Sequence, residues 1–251
     1  MSSKNKCINA YSDNVTLPVI GKSHLLLLDI LGYSRWMKNE KDLLVDKVIL
    51  LKKLMATLNV LEKERSKNIP LYSHFYADNI LLWTEDYSFQ GVEYISFYGS
   101  FLISFLLHVG LPVRGAIASG DIYLSKEEMI FQGPPIIEAH EEGESQAWMG
   151  VVITKSTESE LGANCLDSSE YIVKYDIPFK RNSVLRRCLG PEIKCCYTLD
   201  WPQINKKVPK WCIKHLCALE DINYLKNNAP RNAKKYYDRM CKFYNCRIMA
   251  N

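Results

Sequence analysis

The chain has 251 residues but no stretch near the roughly 20 consecutive apolar residues that a membrane-crossing helix needs, so no transmembrane span is expected. Nor does any N-terminal stretch combine a basic region, an apolar core and a small-residue cleavage site. These absences point to a soluble, cytoplasmic protein. Its nine cysteines are odd in number and form no CxxC pair, which argues against a secreted disulfide scaffold and against a zinc ribbon. The nearest approach to a metal cluster is Cys212, His215 and Cys217 in WCIKHLC, which lacks a second close pair. Internal repeats and low-complexity tracts are missing too.

Charge is present but unevenly spread. The formal net charge is +4; from Pro202 onward eleven Lys or Arg face three Asp or Glu, a surplus of eight that leaves the first 201 residues at −4. A basic tail suits phosphates, nucleic acid or an anionic surface, and equally a solvated helix face.

The most apolar run, HLLLLDILGYSRWM (His24 to Met37), ends its four leucines on Asp29. A short continuous leucine run reads as a buried strand, which places Asp29 at a strand end. Gly32 follows, and a glycine turn there can aim backbone amides at an anion. Asp29 is thus either a functional carboxylate beside a phosphate loop or a cap for the next helix.

Residues 1–22 read as a flexible leader. Leu44, Val48, Leu51, Leu54, Met55 and Leu58 recur three and four apart, which predicts an amphipathic helix from about Lys41. IPLYSHFYADNILLWTED predicts a hairpin with Asp78 at its tip. A second apolar helix, from about Gln90, closes at Gly110 with Pro112 beyond. LPVRGAIASGDIYL is strand-prone but interrupted by Gly115 and Gly120. Pro134 and Pro135 open another helix after Gly133, and Val151 to Thr154 begin a further strand. The order β-α-β-β-α-β is the ferredoxin-like pattern: an α+β fold with an antiparallel sheet and helices on one face. The first two helices supply that layer and the Gly133 helix is extra. Residues 170–251 add a C-terminal α/β extension ending in a basic helical tail.

In this order Asp29 and Asp78 can face each other across neighbouring strands. Two carboxylates beside a glycine turn suit two divalent cations and a triphosphate. Here the chain resembles the class III nucleotide cyclases. LLLLDILGYS is similar to their first-strand motif, HFYADNILLW to their metal hairpin, and VRGAIASGDIYL and GPPIIEAHEEGESQA to two later segments. The similarity covers about residues 23–154 and is greatest to the pyrimidine cyclases of the Pycsar antiphage system.

The resemblance implies a catalytic domain over residues 23–169. It implies Asp29, Asp78 and the Ile30 carbonyl as ligands for two Mn²⁺ or Mg²⁺ ions, and Leu31, Gly32, Tyr33 and Ser34 as the triphosphate loop. The chain departs from the family where purine cyclases keep base readers, carrying His74 and Ile130, and where they keep transition-state Asn and Arg, carrying Ile137 and Glu141. Loss of purine readers with retention of both carboxylates fits a smaller base, with Tyr72 or His74 filling the vacated space. Arg114, with Lys155 behind it, is the candidate for neutralising phosphoryl charge, although a strand-end salt bridge accounts for Arg114 equally well. The implied substrate is UTP or CTP and the product a cyclic nucleotide read by a separate effector. A homodimer is implied, with sites at its interface. The alternatives are a catalytically silent nucleotide-sensing or dimerisation module and a purine cyclase. A polymerase-like relative is disfavoured by the lack of a GGDEF or GGDD motif, and the tail holds no nucleic-acid recognition motif.

Overall fold

The computed structural model describes residues 20–34, 44–65, 69–125, 130–180 and 195–249. Most of the expected leader lies outside them, as does the segment joining the glycine turn to the first helix. The leucine run forms β1 (Ile20–Ile30). Leu25, Leu26 and Leu28 are fully buried, as a strand at the middle of a sheet requires. The first helix, α1 (Leu44–Arg65), buries Leu54, Leu58 and Leu61 at the predicted spacing. The hairpin is β2 (Tyr72–Tyr76) and β3 (Asn79–Thr84), turning at Ala77 and Asp78. α2 (Phe89–His108) starts at Ser88, whose side chain accepts a hydrogen bond from the Gln90 amide.

Next come β4 (Val113–Ser125), the short β5 (Ile130–Gln132) and α3 (Pro134–Ser145). β4 runs unbroken through Gly115 and Gly120, the two expected interruptions. At Gly115 the strand lies so close to β1 that an added Cβ would stand 2.0 Å from the Leu27 carbonyl oxygen. Glycine there serves close approach of two strands rather than a turn. After β6 (Val151–Ile153) and the short helices α4 (Lys155–Leu161) and α5 (Ala163–Asp167), the chain forms β7 (Ile172–Tyr175) and β8 (Cys196–Leu199). A 3₁₀ turn and α6 (Lys210–Ile213), α7 (Leu219–Asn228) and α8 (Lys234–Met249) complete it.

The fold is α+β. Its strands order β2-β3-β1-β4-β6-β8-β7, with β5 paired to β4, so the extension lengthens the same sheet. Pairing is antiparallel except between β4 and β6. The sheet is therefore mixed rather than antiparallel throughout, because a helical connection returns the chain to β6 in the direction of β4.

Helices lie on both faces. α2 packs on the Leu26 side, where an added Cβ at Gly99 would meet Leu26 Cδ2 at 2.7 Å and Leu199 Cδ1 at 2.9 Å. α3 lies on the opposite side, the one carrying Asp29: Pro135 approaches Gly120, and Glu144 reaches Arg114. The expectation puts helices on one face, with the Gly133 helix as an extra element; that element, α3, covers the other face. With both its edges paired to β3 and β4, β1 still has two faces carrying leucines, and each needs a cover.

Candidate active site

The register decides what the leucine strand presents. Asp29 stands opposite Asn79 of β3 and Arg114 of β4. Cross-strand partners point to one face, so Asp29 and Arg114 share theirs. The Ile30 amide donates to the Asp78 carbonyl at 2.7 Å, which fastens the hairpin tip to the end of β1. Ala77 holds φ 51, a left-handed conformation that costs a non-glycine residue about 1–2 kcal/mol. Asp78 follows it directly, and Asn79 Nδ2 donates to Asp78 Oδ1 at 3.1 Å. The backbones of Asp29 and Asp78 thus meet at one corner of the sheet.

Arg114 is buried to 9 % exposure. Its Nε and Nη2 both donate to Asp29 Oδ2, at 3.1 and 2.9 Å. Nη2 also reaches Glu144 Oε1 at 3.2 Å. One guanidinium thus bridges a carboxylate of β1 and a carboxylate of α3, and charge-assisted bonds of this kind are the strong ones. Lys180 joins from beyond β7: its amide donates to the Ser145 carbonyl, and burial followed by the Arg114 charge lowers its ammonium pKa, with Glu144 and Asp29 opposing.

The glycine turn closes the corner. Gly32 takes φ 79 and is exposed, as is Ser34, while Leu31 and Tyr33 are half-buried. The Leu31 amide donates to the Pro112 carbonyl, tying the loop to the start of β4.

Two of the base-reading candidates, Tyr72 and His74, lie along the same face. Tyr72 pairs with Trp83, His74 with Leu81 and Tyr76 with Asn79, in step with Leu25, Leu27 and Asp29. His74 stacks on Phe131 at 4.7 Å between centroids, and Phe131 meets Trp83 edge-on at 5.4 Å. Tyr72 tilts over Trp83; burial and the neighbouring Glu85 carboxylate raise its phenol pKa. Ile130 is 37 % exposed. The β5 residue against His74 is its neighbour Phe131, which strand alternation carries to the opposite face from Ile130.

Other candidates fall elsewhere. Ile137 and Glu141 are exposed on α3. Lys155 follows the far end of β6, next to Ser156, whose hydroxyl accepts from the Ser119 amide. It is ion-paired with Glu158, so the structure does not bring it to Arg114. In WCIKHLC, Cys212 and Cys217 are buried and His215 is exposed. Among the described residues no three His, Cys, Asp or Glu assemble as a metal cage.

Residues the sequence did not single out are Glu144, Lys180 and Phe131. Phe131 alone left a signal, as the inward member of the strand that Ile130 begins.

No protein-family model matches the chain, and no curated protein matches it. Solved structures similar to it include the adenylyl cyclase CyaB from P. aeruginosa, 16% identical over 72% of this chain and 94% of that one, with a TM-score of 0.45. The catalytic core of a rhodopsin-guanylyl cyclase with converted specificity, in complex with ATPalphaS, is 12% identical over 72% and 95%, with a TM-score of 0.47. A bacterial light-regulated adenylyl cyclase is 13% identical over 74% and 96%, with a TM-score of 0.45. At such identities no residue role or reaction passes from those proteins to this chain.

Proposed function

We propose that residues 23–169 form a nucleotide cyclase that converts UTP, or CTP, to the 3′,5′-cyclic monophosphate and pyrophosphate. The observation that carries this reading is the corner where the Ile30–Asp78 hydrogen bond and the Asp29–Asn79 register bring two carboxylates beside the Gly32 turn. The donor set is hard oxygen: two carboxylates and the Ile30 carbonyl. That set fits Mn²⁺ or Mg²⁺, whose remaining ligands come from substrate phosphates. When bound, two such ions supply Lewis-acid stabilisation of charge on a transferring phosphoryl group.

The chain's own residues do the rest. With the Leu31 amide held by the Pro112 carbonyl, the turn from Gly32 to Ser34 is what offers amides to the β- and γ-phosphates. The ribose 3′-hydroxyl gives up its proton to water and attacks the α-phosphorus in line, the bond from that phosphorus to the bridging oxygen breaks, and pyrophosphate leaves. Arg114 stands beside Asp29 to neutralise charge as it develops. His74, held flat against Phe131, and Tyr72 read the base edge. A neutral imidazole or a phenol can donate or accept, which suits uracil O4 or cytosine N4. The resemblance of the four motifs supports a homodimer and a product that signals to an antiphage effector.

The Arg114–Asp29 pair favours one competing reading, a module that binds nucleotide without turnover, because the guanidinium already neutralises the carboxylate.

Incubation of the purified protein with each of the four nucleoside triphosphates and Mn²⁺, with products identified by mass, separates these readings. Cyclic UMP or cyclic CMP is expected, with loss of product in Asp29→Ala and Asp78→Ala while circular dichroism stays unchanged. Faster formation of cyclic AMP or cyclic GMP would overturn the base assignment. Nucleotide binding without any product would establish the silent module.

A further inference from the structure

A cavity of about 560 Å³ opens where the C-terminal extension meets the core, between the turn after β1 and the connection from α7 to α8. The extension is held there firmly. The Cys217 amide donates to Ser104 Oγ of α2 at 2.9 Å, and Arg239 reaches the Ala147 carbonyl at 2.6 Å. Pro230 ends α7 and the chain turns over the cavity before α8 begins.

Its walls are of two kinds. Leu31, Pro112, Met149 and Leu225 supply an apolar lining, and Lys180 and Asn228 supply polar groups on the same walls. Arg114 also touches the cavity, with its guanidinium paired to Asp29 and Glu144. Those two are the carboxylates that bear on Lys180, and neither forms an ion pair with its ammonium. A half-buried ammonium that shares its carboxylates with a better-placed arginine gains from any further anion. A mostly apolar concavity of several hundred Å³ with few polar groups is the form of a small-molecule site.

We propose that this cavity binds a small organic anion, an apolar body of drug-like size bearing one carboxylate or phosphate, with the anionic group on Lys180 and the body against Leu225 and Met149. The extension then has a task of its own, as one wall of an effector site whose other wall is the turn at Gly32. The proposal goes beyond the cyclase reading and does not rest on it, since neither metal nor nucleotide takes part.

Titration of the full-length protein with 1-anilinonaphthalene-8-sulfonate in EDTA, read by fluorescence and calorimetry, tests it. One saturable site is expected. 2-Naphthoate and 2-naphthyl phosphate should displace the dye, and the better of the two identifies the head group. The neutral 2-naphthalenemethanol should compete about tenfold less well, the worth of one charge-assisted bond. Lys180→Gln should erase that preference, and Ala233→Phe, which fills the cavity, should abolish the site. Equal competition by the neutral alcohol, or a site untouched by Lys180→Gln in protein with an unchanged melting curve, would overturn the proposal. Should Ala233→Phe not fold, Lys180→Gln decides alone.

Discussion

On one side of β1 the middle of the sheet is dry: Leu26 and Leu28 lie opposite Leu82 and Ile80 of β3, and α2 packs so closely above them that a side chain at residue 99 would have to push the Leu26 and Leu199 methyls aside. On the other side, Leu27 leads to Asp29, Ala116 to Arg114 and Leu81 to Asn79, and the cover is α3 with its Glu144. One strand thus carries a packing face and a chemical face in alternation. The difference shows how a carboxylate is kept at the end of a leucine run. The buried face fixes the strand, and the fixed strand holds the carboxylate against Arg114.

The sharpest way to break this comparison is to cut the same side chain on each face. Leu26→Ala should cost about 2–5 kcal/mol, a transfer loss plus a cavity in a site that cannot collapse. Leu27→Ala, half-buried, should cost less than half as much. Urea denaturation measures both, and equal costs would show the two faces packed alike.

A middle-sized effect comes from titratable groups buried on the two sides. Glu142 of α3 is 7 % exposed; burial, reinforced by the Glu138 charge, pushes its carboxyl up from 4.5 to about 8. Between those pH values the unfolded chain releases a proton that the folded protein keeps, so folding stability falls as pH rises through that window. His24 is displaced the other way. Buried, stacked on Tyr87 and bonded through Nδ1 to Ser119 Oγ, it drops from 6.5 to about 4. Stability on its account falls as pH goes down from 6.5 toward 4. Melting temperatures of Glu142→Gln against pH should show a shallower decline above pH 6 than the parent and a higher value at pH 8. An unchanged slope would mean that Glu142 is ionised in the folded protein.

The smallest effect is expected far from either face. Lys155→Ala removes an exposed i, i+3 ion pair with Glu158 and should change stability by no more than about 0.5 kcal/mol. It should also leave turnover unchanged, in contrast to changes at the Asp29 corner. A large loss of activity would place Lys155 in the site after all.

Much of this was legible in the chain. The leucine strand, the 3.6-residue spacing of α1, the turn at Ala77 and Asp78, and the proline-led start of α3 are all local signals, and each element formed where its signal stood. β4 was misread because glycine has two uses, and Gly115 marks a close approach that exists only once β1 lies beside it. In the sequence the Gly133 helix is an extra element with no face assigned, since its amphipathic pattern says that one side is buried but not against which sheet face. Among the candidate site residues, Asp29, Asp78 and Gly32 could be picked out by position relative to elements. Phe131 was passed over for Ile130 because a single-residue choice on a three-residue strand turns on register, which flips with every step.

The sequence by itself determined the elements, the carboxylate that ends β1 and the carboxylate at the hairpin tip, because hydrophobic spacing and turn chemistry act between near neighbours. Only the tertiary structure decided that Arg114 lies on Asp29, that Glu144 shares it, and that Lys180 and the α7–α8 connection close a cavity beside Gly32. Those partners stand 30 or more positions apart along the chain. What joins them is strand register and the packing of helices on both sides of one sheet, and neither leaves a periodic trace in any one segment.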